Sequence, residues 1–187
     1  MERDRLYKIH QITLAIIYIA LMVFFVCKCL ENGADSTESS QRVADATAKV
    51  INGVAGSGTV DSQSESFRSW VRKFIGHYSY FVLLGSISTL FYLSLRKKVK
   101  DYLLLTISFS VGFIFAVISE FMLEAKTLGR NGSWSDVGID YLGFITLSIV
   151  IVFIYYLIKF KKSRKNSLWR CKFAPFISYF FLKVTKI

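Results

Sequence analysis

Proline is almost missing from this sequence: 187 residues contain one, Pro175. Every long apolar stretch ahead of it is therefore free of the residue that most often kinks or breaks a helix. Cysteine is nearly as scarce, at positions 27, 29 and 171, too scattered for a disulfide framework or a thiolate metal site. There are two histidines, and the 13 acidic residues are outnumbered by 24 Lys and Arg. Nowhere do these side chains form a dense ligand motif, so neither a metal nor another cofactor is expected. The glycines of "AGSG" follow no strand-like run and precede no suitably placed lysine, which excludes a phosphate loop. A small-x-small cleavage site is also lacking after the first apolar run, where "CKCLEN" suits a signal peptidase poorly and "FFVC" is not a lipobox. That run is expected to remain as an uncleaved anchor.

What the chain has in abundance is apolar surface. Hydrophobic residues make up 53% of it and aromatics 16%, with a mean hydropathy of +0.42, more than a soluble domain carries. Four stretches are long enough to cross a bilayer as helices: Ile12 to Leu30, Gly76 to Leu95, Tyr102 to about Leu123, and Val137 to Ile158. Three Lys and Arg precede the first, four lie in the turn between the second and third (Arg96, Lys97, Lys98, Lys100), and nine follow from Lys159 onward. By the positive-inside rule both termini and the "RKKVK" turn are expected in the cytoplasm, with 31–75 and 124–136 outside. The expected fold is all-α: an integral membrane four-helix bundle with an extracytoplasmic loop after the first span and a basic, aromatic cytoplasmic tail. Its divisions are an N-terminal anchor (1–30), the loop (31–67), a three-span membrane domain (68–160) and the tail (161–187). The net charge of +11 suits this orientation, and "KFKKSRK" suits an anionic leaflet, so no nucleic-acid partner is expected.

Within the loop, Val43, Ala46, Val50, Ile51 and Val54 recur at helical spacing, which predicts an amphipathic helix lying on the outer surface. The following "AGSGTVDSQSES" reads as a flexible linker. In the tail, "FAPFISYFFLKV" is too short to span and is expected in the inner interface, with Pro175 starting that element.

The informative residues break the hydropathy pattern. A charged group at a helix centre costs roughly 2.5 to 3.5 kcal/mol on insertion scales. The expected topology brings several such groups to one depth. Arg72 and Lys73 stand at the mouth of the second span with His77 in its first turn; Glu120 is a turn short of the end of the third. Asp136 and Asp140 share a face at the start of the fourth. Arg130 lies in the short loop above them. Simpler roles compete: Arg72 and Lys73 can anchor a helix at phosphate level, Ser133 and Asp136 form an S-x-x-D capping box, and a lone interfacial histidine is often structural. Glu120 and Asp140 are harder to dismiss, because an unanswered carboxylate in hydrocarbon is expensive.

Two segments resemble the VanZ family of bacterial membrane proteins, which is named for its teicoplanin-resistance member. "VRKFIGHYSYFVLLG" is similar to the family's cationic pair followed by His and an aromatic pair. "SEFMLEAKTLGRNGSWSDVGIDYLG" is similar to its acidic span end, loop Arg, and D-x-x-x-D with a following Gly. The resemblance covers roughly Phe67 to Ile158 and carries over Arg72, Lys73, His77, Glu120, Arg130, Asp136, Asp140 and Gly143. Ser119 stands where the family commonly has Asp, Leu123 where it has Gln, and the loop to Arg130 is one residue longer and lacks a proline. The resemblance implies a multi-pass protein of the bacterial cytoplasmic membrane with a part in tolerance to teicoplanin-type lipoglycopeptides. Two roles fit its residues. In one, Arg72, Lys73 and Arg130, oriented by Glu120 and Asp140, bind an anionic head group, with Asp136 a further member of the polar cluster. In the other, an enzyme modifies a lipid or lipid-linked cell-wall precursor with His77 and Glu120 as acid and base. The expected partners are membrane lipids or such a precursor, and a lipoglycopeptide on the resistance reading. Transport fits less well, since no charge lies at the midplane. The oligomeric state stays open.

Overall fold

The computed structural model describes residues 2–30, 33–96, 99–124 and 132–184, all of them helical or connecting, with no strand among them. The helices are α1 (Glu2–Cys29), α2 (Gly33–Ala55), α3 (Glu65–Val71), α4 (Ser79–Ser94), α5 (Asp101–Ile118) and α6 (Trp134–Val184). A π-helical stretch, Arg72–Tyr78, joins α3 to α4, and a second, Ser119–Glu124, extends α5. Four helical runs are long and apolar enough to cross a membrane: Asp4–Cys29, Glu65–Ser94, Asp101–Leu123 and Trp134–Lys161. They coincide with the four stretches picked out by hydropathy. Two compact units divide the chain, Met1–Ile149 and Val150–Ile187.

In the first unit the four helical runs meet around Tyr18, Phe25 and Cys29 of α1, Phe81 and Leu84 of α4, Phe115 and Ala116 of α5, and Val137 and Phe144 of α6. Lipid tails are as apolar as these side chains, so in a bilayer the gain is close packing rather than escape from water. Phe25 sits at the hub, stacked on Tyr80 at 4.5 Å and edge-on to Phe81 at 5.2 Å. Small residues allow backbones to touch: a Cβ at Gly143 would lie 2.5 Å from the Tyr78 carbonyl, and one at Gly85 would run into the main chain of Phe144. The buried hydroxyls of Ser88 and Ser108 bond across α4 and α5 at 2.9 Å. At the other end of α1, the Gln11 amide donates to the Ser94 carbonyl at 2.7 Å and the Tyr7 hydroxyl donates to the same atom, satisfying a carbonyl that α4 leaves open.

The segment between the first two spans carries the expected helix, with a buried face that the valine spacing does not mark and with no free linker after it. Its helix is present, but the buried face is that of Ala44 and Ala48, while Val43, Val50 and Val54 are exposed. α2 packs against α3. Nor is "AGSGTVDSQSES" a free linker. The Asn52 amide donates to the Val60 carbonyl and accepts the Val60 N–H, both at 2.9 Å, folding the chain back along α2. Gly56 and Gly58, at φ 110° and 84°, permit the reversal. Gln41 then reaches the Ser62 carbonyl at 3.2 Å, and Arg68 of α3 donates to the Gln41 side-chain oxygen at 3.3 Å.

The second unit is helical from Val150 to Val184. Lys159 lies 5.8 and 5.7 Å from the ring centres of Tyr155 and Tyr156, within cation–π range. Pro175 falls inside this helix and does not begin a separate element. Residues 159–174 contain neither glycine nor another proline to stop the helix, and Pro175 removes one main-chain donor.

Candidate functional site

The hydropathy-breaking residues gather at one end of the first unit, and the winding of the helix that bears them contributes. Arg72, Lys73 and His77 all lie on the π-helical stretch. In an α-helix five residues make about 1.4 turns, which would turn Arg72 away from His77. The wider turn of a π-helix, closed by i→i+5 hydrogen bonds, brings residues four and five apart to one side. Arg72, Lys73 and His77 accordingly line one notch together with Asp136, Ile139 and Asp140 of α6. The Ser79 hydroxyl donates back to the Ile75 carbonyl at the end of the widened stretch.

Two charge pairs cross the notch as rungs. Lys73 Nζ lies 2.5 Å from Asp136 Oδ1, and His77 Nδ1 lies 3.3 Å from Asp140 Oδ1. Each side contributes residues four apart, so the rungs stack along the two helices. The outer pair is partly wet, whereas the Asp140 side chain is 1% exposed. His77 and Asp140 face each other at ion-pair distance without the alignment of a hydrogen bond. A buried carboxylate is costly unless a charge or proton answers it, and His77 is placed to do so. Phe25 closes the far side of the imidazole, edge-on at 5.7 Å.

Arg72 differs from its neighbours. It is half-buried in the notch and makes no hydrogen bond or ion pair among the described residues. The notch itself has room for about one water molecule.

Glu120, 5% exposed, belongs to the second π-helical stretch. Its Oε1 accepts the main-chain N–H of Ser133 at 3.0 Å. Ser133 Oγ in turn accepts the N–H of Ser135 at 3.2 Å. The capping box expected of Ser133 and Asp136 is thus divided. The serine caps α6, but its own N–H goes to Glu120 from another helix, and the Asp136 carboxylate goes to Lys73. Asp140 faces the imidazole of His77, the residue that the enzyme reading pairs with Glu120. Arg130 lies outside the described residues. Among the described residues no group of three or more His, Cys, Asp or Glu side chains could hold a metal ion.

Nothing in the residue pattern signals the π-helical windings, the Glu120 contact with Ser133, or Phe25 beside His77. The first depends on main-chain hydrogen bonds and the others on which helices become neighbours. Comparison with family models, with curated proteins and with solved structures finds no match.

Proposed function

We propose that this multi-pass membrane protein uses the notch around Arg72 to hold an anionic head group at the membrane surface. The observation that carries the reading is the arrangement of charge. Asp136 is answered by Lys73 and Asp140 by His77, while Arg72, in the same notch, has no acid among the described residues. A guanidinium presents a planar fork of donors matched to phosphate or carboxylate oxygens, and one such oxygen is what so small a notch admits. The positive-inside distribution supports an outward position for this end of the bundle, and the resemblance to the VanZ family supports a bacterial cytoplasmic membrane as its place. The resemblance to the VanZ family extends the reading to tolerance of teicoplanin-type lipoglycopeptides, whose lipid-linked target lies at that surface.

The purified protein in detergent tests this directly. Glycerol phosphate is expected to raise its melting temperature, and Arg72→Gln to remove the rise; no stabilisation of the parent by this or another head-group anion sinks the reading. Orientation is checked separately in cells: with Cys27, Cys29 and Cys171 replaced by serine, a cysteine introduced at Ser57 reacts with an impermeant maleimide if this end is outside.

A second reading is favoured by the buried carboxylate beside an imidazole. Asp140 facing His77 is an arrangement that can orient a general base, so an enzyme acting on a lipid or lipid-linked precursor would use that pair. A deletion strain with unchanged lipid and precursor profiles counts against it.

A further inference from the structure

Two tryptophans on different helices stand at one level of the bundle. Trp70 comes three residues before Lys73 and Trp134 two before Asp136, and the Lys73 to Asp136 rung ties those positions together. The second rung, His77 to Asp140, follows in the same order on both sides, so the helices run parallel. Along them the tryptophans therefore differ by one residue, about 1.5 Å of rise. A third span reaches the same place, because the ring of Phe121 lies 4.9 Å from that of Trp134.

Both tryptophans are turned away from the notch. Two residues of helix are about 200° of rotation, which separates Trp70 from Arg72 and Trp134 from Asp136. On that outward side they are 44% and 68% exposed. The exposed surface changes character at their level. Ahead of Trp70 the exposed residues from 61 onward are polar, Asp61, Gln63, Glu65 and Ser66. Beyond the two tryptophans, Phe74, Leu83 and Leu90 on the second span and Leu142 on the fourth are open and apolar. An indole is too apolar for water and carries an N–H that hydrocarbon leaves unanswered, and the interfacial layer of a bilayer suits both parts. We propose that Trp70 and Trp134, with Phe121 beside the latter, form an anchoring girdle whose partner is the interfacial layer of the bilayer at this end of the bundle. The girdle is continuous with the apolar surface that the spans turn to lipid. It sets the depth of the notch: the Lys73 to Asp136 rung lies at the inner edge of the layer, and the His77 to Asp140 rung a further turn toward the hydrocarbon. The proposal goes beyond the head-group reading, which concerns the notch alone, by fixing where that notch meets the membrane.

The tryptophans report their own depth. Trp134→Phe with Trp169→Phe leaves Trp70 as the one tryptophan of the full chain, and Trp70→Phe with Trp169→Phe leaves Trp134. Each variant is placed in phosphatidylcholine vesicles, and its fluorescence is quenched by phosphatidylcholines brominated near the glycerol, at mid-chain or near the chain end, and by aqueous iodide. Bromine near the glycerol is expected to quench both indoles most, at a depth of about 15 Å from the bilayer centre, half the hydrocarbon thickness. The two depths should agree within one helical turn, about 5.4 Å. Should a phenylalanine variant not fold, tyrosine in its place keeps an interfacial ring, and the same result is expected. Quenching by iodide alone places the rings in water and overturns the inference. Quenching by neither iodide nor brominated lipid means that protein covers them, and strongest quenching at the chain end means that they lie too deep; either result overturns it as well. The melting-temperature rise with glycerol phosphate is read separately: a rise with tryptophans outside the interfacial layer removes the girdle and leaves the head-group reading standing, and interfacial tryptophans without a rise do the reverse.

Discussion

The carboxylate of Glu120 accepts the main-chain N–H of Ser133 at 3.0 Å, so α6 is capped by a side chain from a different helix. The contact fixes the start of the helix that carries Asp136 and Asp140. Glu120 therefore positions the notch even if it never meets a ligand. A hydrogen bond to a charged group contributes about 1.5 to 3 kcal/mol, and Glu120→Ala should destabilise the protein by that order in mixed-micelle unfolding. Glu120→Gln keeps a carbonyl acceptor at the same place and should lose less. Equal losses from the two substitutions would mean that the acceptor is not what matters.

The second prediction concerns the backbone contact between α4 and α6. Gly143 lies against the Tyr78 carbonyl and Gly85 against Phe144, whereas nothing stands within 4 Å of a Cβ built at Gly138. Gly143→Val and Gly85→Leu should each separate the helices and cost at least about 1 to 3 kcal/mol, the usual range for overpacking. Gly138→Ala should be neutral or slightly stabilising through helix propensity. Thermal unfolding of the three variants in one detergent decides it, and a Gly143→Val protein as stable as Gly138→Ala would contradict the packing.

How far the sequence could be read follows from which constraint is local. Four spans were legible because a bilayer demands about twenty apolar residues in a row whatever the neighbours are. That Lys73, His77, Glu120, Asp136 and Asp140 collect at one end followed from alternating spans. Their pairings did not. Whether Asp136 caps its own helix or pairs with Lys73, and whether His77 faces Glu120 or Asp140, depends on helix rotation, which the 3.6-residue period leaves free. The same freedom hid the buried face of α2: Val43, Val50 and Val54 form the more apolar stripe, yet Ala44 and Ala48 are the buried one. Hydrophobicity ranks faces by composition, whereas close helix packing selects for size.

That choice of face yields a third prediction. Ala44 and Ala48 are 0% and 5% exposed, so Ala48→Leu should force α2 away from its partner and raise the rate of proteolytic cutting between Gly56 and Ser64. Val50→Ser, at a position 67% exposed, should leave that rate unchanged. If the serine variant is cut faster and the leucine variant is not, the valine face is the packed one after all.

Acid should loosen the same hairpin. The Ser62 side chain and then the Gln41 amide, the latter at 2.8 Å, hydrogen-bond the Asp45 carboxylate and hold its pKa below the ordinary aspartate value. A group whose folded pKa is lowered favours the folded state above its unfolded pKa, and that contribution fades as the pH falls through the lower folded value. Asp45 should therefore help fasten 56–64 to α2 at neutral pH and progressively less below about pH 4. Because Asp45 is exposed at the surface, the effect is local opening rather than global unfolding. Hydrogen exchange in 56–64, corrected for its intrinsic pH dependence, should lose protection through that window in the parent. Asp45→Asn should start with less protection and show a flatter profile. Asn52→Ala, which removes the neutral latch to Val60, should lower protection equally at every pH, because no titrating group is involved in that contact. A parallel fall in the parent and in Asp45→Asn would assign the acid sensitivity to some other group.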